Sequence, residues 1–261
     1  MNAMSERKTH EALVGGQFGA RAAAYLDSAV HAQGDDLEAL TALVKGKSKA
    51  HLLDLGCGGG HVSYRVAPHV GQVTAYDLSP EMLAVVARAA VDRGLRNIAT
   101  EQGVAEKLPF ADASFDYVFS RYSTHHWRDF DAGLREAARV LKSGGTAAFV
   151  DAVAPGAPVL DTYLQTVEML RDPSHVRDYS RAEWDGALAR AGLLVGAARQ
   201  HRVRLQFANW IERMQTPKLQ ADAIRALQAV MSETVTRHFN IGADGSFDLD
   251  VLLVVAEKAA A

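Results

Sequence analysis

Residues 52–60 read Leu-Leu-Asp-Leu-Gly-Cys-Gly-Gly-Gly, and residues 73–80 read Val-Thr-Ala-Tyr-Asp-Leu-Ser-Pro. An apolar run enters Asp54, breaks into a glycine-spaced turn, and is followed by a second run that ends on another acid, Asp77. Glycine tolerates positive φ and has no Cβ to keep a ligand off the backbone. Gly56, Gly58, Gly59 and Gly60 stand where a strand hands over to a helix, and N–H groups at a helix start attract polar or anionic groups. An acid closing the next strand can accept hydrogen bonds from both hydroxyls of a ribose. The pair of segments therefore predicts a cradle with a ribose hook one strand away, the requirements of a nucleotide-like cofactor.

The dinucleotide fingerprint spaces its glycines G-x-G-x-x-G. Counted from Gly56, the third glycine position is His61, which argues against NAD(P) and leaves G-x-G-x-G preceded by Asp54. Three further segments follow in order: DLSPEML at 77–83, GVAEKLPFADASFDYVFS at 103–120 and LREAARVLKSGGTAAFVD at 134–151. Over roughly residues 50–155 this series resembles the class I S-adenosylmethionine-dependent methyltransferases. Within them it is most similar to the ubiquinone/menaquinone-biosynthesis-like (methyltransferase type 11) family, close to an enterobacterial branch. YSRAEWDGALARAGLLV at 179–195 resembles a late helix and strand of that family.

The resemblance implies an α/β fold, a doubly wound, mostly parallel seven-stranded sheet with a helical cap. It implies transfer of a methyl group from S-adenosylmethionine, leaving S-adenosylhomocysteine. By the same resemblance, Asp54, Gly56, Gly58 and Gly60 would line the methionyl end of the pocket. Asp77 would hold the ribose hydroxyls, with Leu78 and Met82 flanking the ring. The family commonly has Gly-Asp-Ala-Glu at the adenine edge, where this chain has Gly103, Val104, Ala105 and Glu106. Val104 cannot accept a bond from the exocyclic amine, whereas the N–H of Ala105 can still reach the ring. Arg121 would sit beside the methionyl group, a structural ion pair being the alternative reading. Simple core packing is the alternative for Met82.

The 261 residues suit one large domain, long enough to bury roughly 70–75% of the surface exposed by the unfolded chain. A single cysteine, Cys57, excludes an intrachain disulfide and is expected of a reducing cytoplasm. Inside the glycine turn it reads as a small residue that fits. No apolar run approaches the roughly 20 residues needed to cross a bilayer, and the start, MNAMSERKTHE, lacks a signal core. With a net charge of −3 and no basic stripe, nucleic acid is excluded as a partner. The expected partner is a small-molecule acceptor, with no membrane and a monomer or homodimer.

Strands are expected near 50–54, 72–76, 97–101, 116–120, 146–151, 193–204 and 247–257, alternating at first with helices, which predicts a parallel sheet covered on both faces. Ser79, Pro80 and Glu81 form a helix start with a hydroxyl cap, a proline and an acid on the dipole, and Gly94 is a stop. A helix is expected at 130–141 before the Lys142-Ser143-Gly144-Gly145 turn. By this reading residues 1–46 are an N-terminal helical cap segment and 47–155 the cofactor-binding core. Residues 156–261 complete the core sheet, with cap insertions at 156–178 and 206–240. The whole is one structural domain, its cap lying over the carboxyl ends of the strands, where open α/β sheets bind ligands.

On the acceptor side, the RYSTHHW segment at 121–127 follows strand 4. Neighbouring side chains point apart, so one of His125 and His126 is expected to face the acceptor, with His125 preferred as a catalytic and substrate-binding residue. His175 is a second catalytic candidate in LRDPSHVRDYS at 170–180. There it would join Arg171, Arg177 and Tyr179 to bind an anionic acceptor such as a carboxylate; a solvated loop is the alternative. Tyr25 matches, in an FGxxAxxY stretch, a pocket tyrosine of the related malonyl-carrier-protein O-methyltransferases. No convergent metal-ligand spacing is present, so no metal is expected. A carboxylate-bearing or quinone-like acceptor with an O, N or C nucleophile fits this reading. A cofactor-binding regulatory module without transfer activity is the alternative, and an NAD(P) oxidoreductase a third.

Overall fold

In the computed structural model, residues 9–19 and 34–259 are described. In chain order these are α1 (His10–Gly19), α2 (Asp35–Leu43), β1 (His51–Leu55), α3 (His61–Val66), β2 (Gln72–Asp77), α4 (Pro80–Asp92), β3 (Ile98–Gln102), β4 (Phe115–Arg121) and α5 (Phe130–Val140). There follow β5 (Leu141–Ala152), α6 (Pro158–Arg171), α7 (Arg181–Arg190), β6 (Leu193–Leu205), α8 (Phe207–Met214), α9 (Lys218–Val230), α10 (Glu233–His238) and β7 (Phe247–Lys258).

The strands form one seven-stranded sheet in the order β3-β2-β1-β4-β5-β7-β6. All pairings from β3 to β5 are parallel, and β7 lies antiparallel between β5 and β6. Strand order turns back on itself at β1, whose neighbours are β2 on one side and β4 on the other. Such a switch point leaves a crevice at the carboxyl ends of the strands. Leu52, Leu53 and Leu55 in β1, and Val118 and Phe119 in β4, are fully buried, as expected where helices cover both sheet faces.

Local chemistry sets the helix ends. Ser79 accepts the N–H of Met82 at 3.2 Å and Pro80 opens α4, while Gly94 follows it at φ +70. Met82, Leu83, Val86, Ala89 and Ala90 recur along its buried face. Asp129 caps α5 through the N–H of Ala132, and Ser180 with Glu183 closes a capping box at α7. The Lys-Ser-Gly-Gly turn departs from expectation: the chain enters the sheet as soon as α5 ends. Leu141 pairs with Phe115, and the register resumes at Thr146 opposite Tyr117. Gly144, at φ +70, lets the intervening residues loop out.

Helices α6, α8, α9 and α10 contribute Leu160, Tyr163, Val167, Trp210, Ile224 and Val235 to a core of their own. It closes on Ala152 and Ala154 at the end of β5 and on Leu205, Phe247 and Leu249 of the β6–β7 hairpin. Among the described residues no helix is long and apolar enough to cross a membrane.

Candidate functional site

A cavity of about 150 Å³ opens at the carboxyl ends of β1, β2 and β4. The glycine turn forms its floor. Gly56 has φ +74, and a Cβ there would fall 1.9 Å from Ser123 Oγ. Gly58 has φ +48 with nothing within 4 Å of the Cβ position, so its backbone faces open space. Asp54 is 1% exposed and accepts both the N–H (2.9 Å) and the hydroxyl (2.6 Å) of Ser63. Burial pushes its carboxyl up to about 7 against those two bonds. Burial also raises Asp77, while bonds from the Ser79 and Gly58 N–H groups pull it back. Its Oδ2 accepts Gly58 N–H at 2.8 Å and its Oδ1 accepts Ser79 N–H at 2.9 Å. The Leu78 N–H also bonds it; a carboxylate has about four lone-pair positions, so acceptor capacity remains for a ligand.

Leu78, Met82, Val104, Ala105, Glu106 and Arg121 line the same cavity. The Tyr76 hydroxyl donates to Val104 O at 3.1 Å, fixing the loop after β3. A Cβ on Gly103 would collide with that hydroxyl at 2.0 Å. Arg121 donates from Nε to Asp36 Oδ2 at 2.6 Å in a buried pair. It thus takes the ion-pair reading while still lining the cavity. α1 covers the opening with His10, Glu11, Val14 and Phe18; its His10 donates from Nε2 to the carbonyl of His126 at 2.9 Å.

A second cavity of about 110 Å³ lies behind the first. Both are lined by Phe18, Tyr122 and His126, so the two cavities adjoin at these side chains. Residues 124–126 make a single 3-10 turn that leaves the two imidazoles side by side, ring centroids 4.1 Å apart, and both line the second cavity, where neighbouring side chains were expected to point apart. His125 lines only the second cavity. Its Nδ1 donates to Asp151 Oδ1 at 2.6 Å, while Thr124 donates its N–H and hydroxyl to Asp151 Oδ2. Burial works against a charged His125, but the Asp151 carboxylate outweighs it and raises the imidazole to about 9. Burial would raise Asp151; the His125 charge and hydrogen bond, with Thr124, hold it below the usual carboxylate range. His126 donates from Nδ1 to Ser174 O at 3.1 Å. Burial and the neighbouring His125 lower it to about 3, so it is neutral with its lone pair on Nε2.

Several expectations are redistributed. Gly60 does not line the cavity: at φ +82 it precedes α3, and a Cβ would meet Tyr64 at 2.7 Å, so the position serves the turn and its packing. His61 takes its place in the lining. The expected Arg171–His175–Arg177 anion cluster does not converge. Arg177 bonds Asp161 and Glu183 and lines neither cavity. His175, 4% exposed, bonds Gln165 through Nε2, and burial with two nearby histidines lowers it to about 2. Arg171 lines the second cavity but is tied to Glu168 at 3.2 Å. Tyr179 stacks on Phe130, ring centroids 3.9 Å apart. Tyr25 lies outside the described residues. Cys57 is buried in the turn, and burial drives its thiol well above its ordinary pKa. Among the described residues no cluster of His, Cys, Asp and Glu could hold a metal ion.

The sequence reading passed over Asp36, Ser63 and Asp151. Asp151 had one available signal: it ends a buried strand in a parallel sheet, the edge at which ligands collect.

Residues 53–149 match the methyltransferase domain family. The Escherichia coli (strain K12) protein YafE is 48% identical over 205 residues, covering 78% of this chain and 99% of its own. The chain belongs to the class I methyltransferases. The Bacillus subtilis (strain 168) methyltransferase YcgJ is 37% identical over 77% of this chain and 79% of its own. The YcgJ crystal structure superposes with a TM-score of 0.83 over 87% of this chain and 99% of that one. The demethylmenaquinone methyltransferase of Chlorobaculum parvum is 38% identical over 45% of this chain and 47% of its own. The methyltransferase takes S-adenosylmethionine as its cofactor. The first cavity suits it, with bare glycine backbone at Gly58, spare acceptor positions on Asp77 and an apolar Leu78–Met82–Val104 wall.

Proposed function

We propose that this methyltransferase methylates a small molecule held in the second cavity, which adjoins the first at Phe18, Tyr122 and His126. That shared lining is the observation that carries the reading. S-adenosylmethionine, when bound, supplies an electrophilic methyl on a sulfonium. Asp54, Gly56 and Gly58 hold its methionyl end with Arg121 beside it, and Asp77 accepts from the ribose hydroxyls. Leu78, Met82 and Val104 flank the ring, Ala105 offers its N–H, and Glu106 closes the edge. The chain's task is then alignment and exclusion of water, and alignment alone can supply several kcal/mol of the barrier. The acceptor is carbon-rich, in keeping with Leu205, Trp210, Met214 and Leu249 on the far wall. The quinone-type substrate named for the Chlorobaculum relative is of that kind.

Calorimetry should show micromolar-range binding of S-adenosylmethionine and S-adenosylhomocysteine but not of NAD(H). Absence of binding at millimolar S-adenosylmethionine would sink the reading. Metabolite extracts incubated with cofactor labelled in its methyl group should yield a labelled small molecule. Binding without any labelled product would leave a regulatory module.

A further inference from the structure

Asp151, 1% exposed, receives four hydrogen bonds: two from Thr124, one from His125 Nδ1 and one from Ala152 N–H. A carboxylate so supplied stays ionised and requires the proton on Nδ1 of His125. The reactive nitrogen of His125 is then Nε2, on a ring that lines the second cavity. A base oriented by a buried acid at the edge of a ligand cavity is the arrangement from which proton transfer is run in many enzymes.

We propose that His125, oriented by Asp151, handles the proton of a phenol- or enol-type hydroxyl on the acceptor, making such a hydroxyl the recognised feature of the substrate. This rests on the acceptor occupying the second cavity. The acceptor O–H bond breaks with its electron pair left on oxygen. The proton forms the Nε2–H bond, and the Nδ1–H stays on Asp151. The result is an oxyanion facing an imidazolium; once the oxygen or a conjugated carbon has been methylated, Nε2 returns the proton to water. An acceptor arriving as its anion at the protonated ring gives the same pair.

The surroundings select this class. The charged groups that line the second cavity with His125 are Glu168, Asp172 and Asp178 and the cations Arg171 and Arg213, with Asp151 behind the ring. His126 and His175, lowered to about 3 and about 2, stand neutral beside it. Asp178 is raised by burial and by Glu168, and Glu168 is engaged with Arg171. An ammonium acceptor would add a further positive charge next to the imidazolium. A phenol has an ordinary pKa of about 10, close to the value of about 9 to which His125 is raised. The proton can therefore pass between them at little cost. The volume of about 110 Å³ is of the order that admits one ring, since a cavity of about 150 Å³ takes up benzene.

The test uses para-nitrophenol, whose anion is coloured, on the full chain saturated with S-adenosylhomocysteine. Absorbance against pH should place the bound probe's ionisation about one unit or more below that of the free probe, a tenfold shift. In H125Q, with its S-adenosylhomocysteine affinity intact by calorimetry, the shift should vanish. In D151N, which keeps the ring but removes the charge that orients it, the shift should shrink; D151N decides if H125Q does not fold. The inference is overturned if the probe does not bind, binds with unshifted ionisation, or is shifted equally in all three proteins. Failure of S-adenosylhomocysteine itself to bind would instead bring down the methyltransfer reading beneath it.

Discussion

Asp77 does two jobs with one carboxylate. It holds the glycine turn by accepting the Gly58 and Ser79 N–H groups, and under the proposed function it also accepts from the ribose hydroxyls. Asp77→Ala should therefore weaken S-adenosylmethionine binding by about 1–3 kcal/mol, the scale for removing a charged hydrogen-bond partner. In affinity this is roughly tenfold to hundredfold, readable by calorimetry; an unchanged Kd would remove Asp77 from the ribose. Its place in the lining of the first cavity was legible because its evidence is local: a strand, a glycine turn and an acid one strand on. His125 was legible only as one of a pair. What distinguishes it from His126 is Asp151, 26 residues further along, and nothing in the spacing announces that contact. Arg121 is similar, its partner Asp36 lying 85 residues earlier.

The glycine turn is the element on which the first cavity depends. Gly56→Ala meets two obstacles: φ +74 and a Cβ 1.9 Å from Ser123 Oγ. Ser123 cannot easily retreat, since its Oγ accepts Trp127 Nε1 at 3.1 Å. Positive φ costs a non-glycine residue about 1–2 kcal/mol, and the clash adds to it. The variant should lose about 2 kcal/mol or more in urea unfolding, with cofactor affinity reduced at least tenfold; a variant as stable as wild type with unchanged affinity would contradict the geometry. Strands β1 to β4 and their helices were readable at this scale because period, cap and breaker coincide, as at Ser79, Pro80 and Gly94. The start of β5 was not. The Lys-Ser-Gly-Gly signal marks a turn, but only the pairing of Leu141 with Phe115 makes that turn an excursion within a strand. Nor does the apolar run at 251–256 reveal that β7 inserts antiparallel between β5 and β6, since a buried strand reads alike in either direction.

At the scale of the whole molecule, the buried ionisable groups near the cavities couple folding to pH. Asp54 is raised from 3.8 to about 7, so its charged form opposes folding increasingly as pH rises between those values. His125 is raised from 6.5 to about 9. A base whose folded pKa exceeds its unfolded one stabilises the fold fully below the unfolded pKa and loses that contribution as pH climbs through the folded pKa. Both shifts lower stability with rising pH, in adjacent windows. The depressed Asp151 acts in the opposite sense, its contribution being present above the unfolded carboxylate pKa and lost on acidification. The His125 side chain is 17% exposed, shielded enough for its shift to register in stability. Urea unfolding of the cofactor-free protein should thus show stability falling between about pH 6.5 and 9, by on the order of 3 kcal/mol. In His125→Gln that alkaline limb should flatten. An alkaline limb of equal slope in the variant would mean that the Asp151–His125 pair does not carry its proton into the fold.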